Sequence, residues 1–186
     1  MDLIQQVTAY VPVNEQEAAD RKALLQHLQS GADIYTRNNQ TAHLTASAWV
    51  VSPERTQVLM AFHKIYNSWA WLGGHADGEH DMTAVARREV MEESGLEDVK
   101  LLTPGIVSLE ILTVDGHEKR GAYVPSHLHL NVTYLFEADP NAPLHVKPDE
   151  NSGVAWIRMD EIGQKSNEPW FCQRIYSKLC RKATQY

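Results

Sequence analysis

The plainest pattern in the chain is a strict alternation over 127–136. Leu128, Leu130, Val132, Tyr134 and Phe136 fall on one face, and His127, His129, Asn131 and Thr133 on the other, with the two-residue period of a strand. Two more strands are expected at 43–51 and 58–63, separated by a turn at Ser52, Pro53, Glu54 and Arg55. A short apolar segment at 69–72 runs into Gly73 and Gly74, extended segments are expected within 99–114, and a short strand at 154–157. Helical spacing replaces alternation at 14–29. There Asn14 can cap the first turn, Ala18, Leu24, Leu25 and Leu28 form an apolar stripe, and Gly31 follows the end. A second helix is expected at about 81–94, and a last one from near Pro169 to about Lys182. The polar stretches 115–126 and 139–153 read as loops. This order predicts an α/β fold, with helices layered on a mixed sheet, in a single domain over 1–186 that includes the N-terminal helix.

The chemistry is concentrated in the helix at 81–94. Asp81 suits its N-cap, Gly95 its left-handed end, and Met82, Val85, Ala86 and Val90 its inward face. Glu89 and Glu93 lie four apart and Glu92 lies three beyond Glu89, so all three share one side. That side overlaps the inward one. Negative charge at a helix C-terminus opposes the dipole, and burying unpaired carboxylates costs several kcal/mol each. Arg88 offsets only part of this, whereas a bound cation would remove the difficulty, and oxygen-rich sites suit Mg²⁺ or Mn²⁺. Taken alone, a Glu-x-x-Glu-Glu run reads more simply as a solvated face.

The residues around it change that balance. Gly74, Arg88, Glu89, Val90, Glu92, Glu93, Gly95 and Leu96 match the spacing of the Nudix signature over 74–96. The chain therefore resembles the Nudix hydrolases. The wider Gly-Gly-His-Ala-Asp-Gly and His-Leu-His-Leu-Asn-Val wording is similar to a group of bacterial members. The resemblance implies an α/β/α sandwich with a mixed sheet and metal-dependent hydrolysis of a phosphoanhydride. The substrate would be a nucleoside diphosphate derivative or related pyrophosphate. It implies that Glu89, Glu92 and Glu93 hold Mg²⁺ or Mn²⁺, that the Gly73 carbonyl adds a ligand, and that Arg88 orients a glutamate. The alternative is that one helix glutamate serves as the general base; the division of labour stays open. The match departs at one place: His80 stands where the signature has a glutamate, with Glu79 one residue earlier and Asp77 nearby as substitutes. A further acid outside the signature is expected at the metal, with Glu150 the first candidate and Glu110 the second.

Other features sharpen or limit this reading. His75, His127, His129 and Asn131 are candidates for a polar pocket wall that meets substrate, with His43 and His63 beside them. No third ligand is apparent for His127 and His129, so a dedicated zinc site is not expected. Trp49, Trp69 and Trp71 are assigned to core packing. Seventeen Lys and Arg against 24 Asp and Glu leave a formal net charge of −7, a poor match for a nucleic-acid polymer. No basic, apolar leader and no membrane-spanning run is visible, and Cys172 and Cys180 read as free thiols, so a cytoplasmic protein with a small diphosphate substrate is expected, with a homodimer as the candidate assembly. Two rivals remain. A Nudix-fold isoprenoid diphosphate isomerase would need a cysteine near the substrate, whereas both cysteines fall in the last helix. A non-catalytic nucleotide sensor would usually lose signature acids, and His80 alone favours it.

Overall fold

The computed structural model describes residues 1–64, 67–119, 121–147 and 151–186. Two N-terminal helices come first. In α1 (Leu3–Ala9), Asp2 and Gln5 form a capping box; in α2 (Glu15–Gln29), the Asn14 side chain accepts from Glu17 N–H. Next come β1 (Ala42–Val51), β2 (Gln57–His63), β3 (Ser68–Ala70), β4 (Leu72–His75) and α3 (Met82–Ser94). They are followed by β5 (Lys100–Leu101), β6 (Ser108–Val114), β7 (His117–Lys119), β8 (Ala122–Val124), β9 (His127–Glu137) and β10 (Asn151–Arg158). The chain closes with α4 (Ile162–Lys165), α5 (Pro169–Phe171), a π-helical turn (Cys172–Tyr176) and α6 (Ser177–Ala183).

Among the described residues, eight strands form one mixed sheet ordered β10-β2-β1-β9-β5, with β3 on β2, β4 on β1 and β6 on β9. The central pair β1–β9 is parallel and the others are antiparallel. Pairing of β1 with β2 is recorded at Val51↔Val58, while β4 pairs along Thr45 to Ala48. Thus β1 carries both β2 and β4, and the loop leading into α3 starts from the middle of the sheet.

The side chains of each strand sort by parity. Leu44, Ala46, Ala48, Leu130, Val132, Tyr134 and Phe136 meet Met82, Val85, Ala86 and Val90 of α3 in one core. Trp49, Val58, Met60 and Leu135 meet Trp71, Ile175, Tyr176 and Leu179 in a second. Each fully buried aliphatic side chain stabilises by about 1.5–3 kcal/mol, which favours this two-sided layering. The expected α/β/α sandwich and the interior placement of Trp49 and Trp71 are both observed.

Several local expectations need correction. The 115–126 segment holds the β7–β8 hairpin, whose register is His117↔Val124 to Lys119↔Ala122. Backbone pairing makes this ribbon without the one-sided apolar alternation that would have announced it. Within 139–153, β10 begins at Asn151, because Asn151 pairs with His63 and Gly153 with Phe62 across a register irregularity. The α2 stripe also differs: Ala18 is exposed and Glu17 is fully buried. Lysines from α6 explain that burial: Lys178 Nζ lies 2.9 Å and Lys182 Nζ 3.2 Å from Glu17 Oε1. The short helices α1 and α4 gave no clear signal, since each buries too few positions for a period to show: Leu3 and Val7 in one, Ile162 in the other.

Candidate active site

The glutamates occupy the last two turns of α3. Asp81 starts this helix by accepting from Thr83 and Ala84 N–H (2.9 and 3.1 Å), and Gly95 ends it at φ 75°. The inward positions continue from Met82, Val85, Ala86 and Val90 onto Glu89 and Glu93. Glu93 is 1% exposed. Its Oε2 accepts from Gly73 N–H at 2.9 Å, its Oε1 from Asn151 Nδ2 at 3.0 Å, and His63 Nε2 lies 3.7 Å from Oε1. Three strands and the helix therefore converge on one carboxylate.

The two glycines before the helix have separate reasons. Gly73 opposes Ser47 in the β1–β4 pair, and a Cβ there would lie 2.7 Å from the Ala46 carbonyl oxygen. Its N–H turns to Glu93. In an antiparallel strand a residue's N–H and C=O leave on the same edge, so the Gly73 carbonyl leaves on that edge too. A Cβ on Gly74 would fall 2.6 Å from Glu89 Oε2, so a side chain there would displace that carboxylate.

Arg88 ties the helix to β4. Its Nη2 donates to the His75 carbonyl at 3.0 Å and to Glu89 Oε1 at 3.2 Å, and its Nε stands 3.8 Å from Glu92 Oε1. Lys147 Nζ donates to Glu92 Oε2 at 2.9 Å. Burial, with the Glu92 charge adding to it, raises the Glu89 carboxyl above its ordinary pKa; Arg88 opposes the rise without cancelling it. Asn151 Oδ1 is buried with no hydrogen-bond partner among the described residues, next to Glu93. A divalent cation with its bound waters fits this donor set. It needs oxygen ligands, relieves the crowded carboxylates and brings water to an orphaned amide oxygen.

The remaining candidates are placed as follows. Glu150 lies outside the described residues. Glu110 is 1% exposed and paired with Lys178 Nζ at 2.8 Å. Asp77 is clamped by Arg37 through two contacts of 2.7 and 2.8 Å, and Glu79 accepts from Asp81 N–H at 2.8 Å. His80 stacks on Tyr35 with ring centroids 3.9 Å apart. Asn131 is buried, receives Thr45 and Ser47 hydroxyls on Oδ1, and donates from Nδ2 to Glu110 and Thr133. His75, His127 and His129 gather with His43 on one sheet face. Sequence reasoning missed Asn151 and Lys147, because β10 pairing and a loop contact bring them in from more than 50 positions away.

A cavity of about 810 Å³ opens elsewhere, beside the start of α3. Its lining includes Tyr10, Tyr35 and His80, and its carboxylates, Asp2 and Asp81, are both engaged in capping helices. Both cysteines lie in the C-terminal helical run, and burial pushes the Cys180 thiol up to about 11, away from a nucleophilic thiolate.

The fold has many solved counterparts. A Nudix hydrolase from M. smegmatis superposes with a TM-score of 0.57 at 18% identity, covering 84% of this chain and 91% of that one. The E. coli dihydroneopterin triphosphate pyrophosphohydrolase gives 0.56 at 11% identity, covering 75% and 96%. A C. elegans Ap4A hydrolase, solved as a binary complex, gives 0.54 at 13% identity, covering 77% and 98%. A search of curated proteins returned no match. The family model for the NUDIX domain matches residues 41–179, from the start of β1 into α6 and across the whole glutamate helix, and the chain belongs to the Nudix family.

Proposed function

We propose that this chain is a metal-dependent Nudix pyrophosphohydrolase that cleaves a phosphoanhydride in a nucleoside diphosphate derivative or a related pyrophosphate. The observation that carries this reading is the seating of Glu93. It is a buried carboxylate held by Gly73 N–H and Asn151, one turn from Glu89 and beside Glu92, so that three carboxylates gather at one helix end. Glu89, Glu92, Glu93 and the Gly73 carbonyl would hold Mg²⁺ or Mn²⁺. Such an ion, when bound, neutralises diphosphate oxygens and acidifies a water.

The chain's own groups do the rest. Arg88 holds Glu89 and Glu92 in place by bridging both to the β4 backbone. Asn151 and Gly73 N–H fix the Glu93 rotamer, so the carboxylate needs no reorganisation before reaction. A carboxylate of this set accepts the proton of the attacking water. The water oxygen bonds to one phosphorus as that phosphorus's bond to the bridging oxygen breaks, and the other phosphate leaves with the bridging oxygen, its protonation completed by solvent. No helix among the described residues is long and apolar enough to cross a membrane.

The test is a screen of nucleotide and non-nucleotide diphosphates with Mg²⁺ and Mn²⁺, reading phosphate after a coupling phosphatase. At least one substrate should turn over. Glu93→Gln should keep the fold by circular dichroism yet lower kcat by about two orders of magnitude, equivalent to roughly 3 kcal/mol of barrier. Tight binding of an intact nucleotide without turnover of any compound would replace the hydrolase reading with the sensor.

A further inference from the structure

Strand register gathers histidines that sequence separation hides. His43 opposes His129 across β1–β9, and Thr45 opposes His75 across β1–β4. His127 lies two residues before His129, on the same face. All four rings therefore stand on the β1 face that turns away from α3, clear of the apolar core under that helix. Ring centroids lie 4.8 Å (His43–His127), 5.1 Å (His43–His75), 5.2 Å (His43–His129) and 4.9 Å (His75–His129) apart. One ring nitrogen from each of His43, His75 and His129 lies within 4.8 Å of the other two.

We propose that His43, His75 and His129 form a second metal site, for a zinc-class transition ion, distinct from the glutamate site on α3. Imidazole ligands select zinc and its transition-metal neighbours, whereas the oxygen-only glutamate set selects Mg²⁺ or Mn²⁺. The two sites thus differ in ion as well as in place.

Two observations support it. The Asn39 carbonyl can only accept, so the 2.9 Å contact places the His43 proton on Nδ1 and leaves Nε2 as a lone pair. That Nε2 is buried and has no hydrogen-bond partner among the described residues. Second, the Pro125 carbonyl fixes the proton of His127 on Nδ1 at 2.8 Å. His127 Nε2 then accepts, and His129 Nε2 donates across the 3.2 Å ring-to-ring contact. Backbone carbonyls and a neighbouring ring that preset imidazole tautomers are the usual outer partners of metal-binding histidines. Zinc–nitrogen bonds of about 2.0–2.1 Å put tetrahedral ligands roughly 3.4 Å apart, so small ring rotations close the site on an ion, with water as a fourth ligand.

The test uses the whole chain, stripped by a chelator and held in excess Mg²⁺ to occupy the glutamates. Calorimetric titration with Zn²⁺ should show one equivalent bound. Co²⁺ should give the visible absorption of a four-coordinate nitrogen site. His43→Gln and His129→Gln should each weaken Zn²⁺ binding at least tenfold, while the Glu92→Gln, Glu93→Gln double variant keeps it. Circular dichroism checks that each variant is folded, and the double variant carries the test if a histidine variant is not. No Zn²⁺ uptake by the parent overturns the proposal. So does uptake that survives both histidine changes, or that disappears in the glutamate variant. None of these readings depends on turnover, so the site stands or falls separately from the hydrolase reading.

Discussion

Two groups of carboxylates among the described residues are neutralised in different ways, one wholly buried and one that runs from buried Glu93 to exposed Glu92. Glu17 and Glu110 are both buried between α2, β6 and α6. Lys178, itself 1% exposed, stands 2.9 Å from one and 2.8 Å from the other, and Lys182 adds a second ammonium to Glu17. Two acids meet two lysines. Burial would raise the Glu17 pKa, but hydrogen bonds from Lys178 and Tyr10 win and hold it low; Glu110 is raised because complete burial outweighs its pairing. On α3, Glu89, Glu92 and Glu93 share Arg88 and Lys147, both of which stand toward the rim. Here the Glu89 pKa goes up. The first group is closed by the chain itself and serves the fold. In the second, Arg88 and Lys147 meet Glu89 and Glu92 while Glu93 is held by Gly73 N–H and Asn151, a set of carboxylate oxygens that a divalent cation would complement.

Removing a cation should therefore hurt most in the closed group. Lys178→Met leaves Glu17 and Glu110 buried without their shared partner. The expected cost is about 3–5 kcal/mol in urea denaturation, with no dependence on added metal. A loss under about 1 kcal/mol would mean that the network is not the closed structural unit its distances suggest.

Adding a cation should act only on the open group. Mg²⁺ or Mn²⁺ binds the folded chain and relieves the repulsion among the glutamates. At a concentration 100 times its dissociation constant it should add about 2.7 kcal/mol and raise Tm accordingly. Differential scanning calorimetry of the parent against the Glu92→Gln, Glu93→Gln variant is the check. An equal metal response in the two proteins would remove the metal from this site.

The same contrast explains how much the sequence made legible. The glutamate helix could be read completely, because its cap, apolar face, carboxylates and terminal glycine are all local: Asp81, Val85, Glu89, Glu93 and Gly95 lie within one element and its caps. Strand β9 was equally legible from its alternation. Glu17 was not, since nothing near Asn14 signals that Lys178, 161 positions later, will neutralise it. Asn151 and the His43–His129 pair were hidden for the same reason: only register across the sheet brings them to their partners. Local periodicity reveals elements and short motifs, whereas long-range pairing decides which polar residues meet.

A pH titration separates the groups more finely. The folded pKa of Glu17 is below its unfolded value, so its contribution to stability is fully present above about pH 4.3 and is lost as pH falls through the folded pKa. Glu17→Gln should be less stable than the parent at pH 7 by about 1–3 kcal/mol. The gap should shrink as pH falls below about 4.3, where the parent's own carboxyl becomes protonated. Urea midpoints at several pH values measure this directly. A gap that widens in acid would reverse the assigned direction.

The smallest expected effect concerns His80, at the signature position where a glutamate is missing. The loop–helix junction is held one residue earlier, because Glu79 accepts from Asp81 N–H at 2.8 Å while Asp81 caps α3. The His80 ring stacks instead on Tyr35, at an interplanar angle of 27°. His80→Glu removes that stack, and an exposed aromatic pair is worth about 0.5–1 kcal/mol. It gives the junction a carboxylate whose work Glu79 already does, so turnover should stay within about threefold of the parent, under 1 kcal/mol of barrier. Glu79→Ala should cost about 1 kcal/mol through the lost acceptor, whereas Glu79→Gln, which keeps an acceptor oxygen, should be nearly neutral. Steady-state kinetics and urea melts on the three variants decide the matter. A rise in kcat/KM of tenfold or more for His80→Glu would show that the junction lacks an acid Glu79 does not replace.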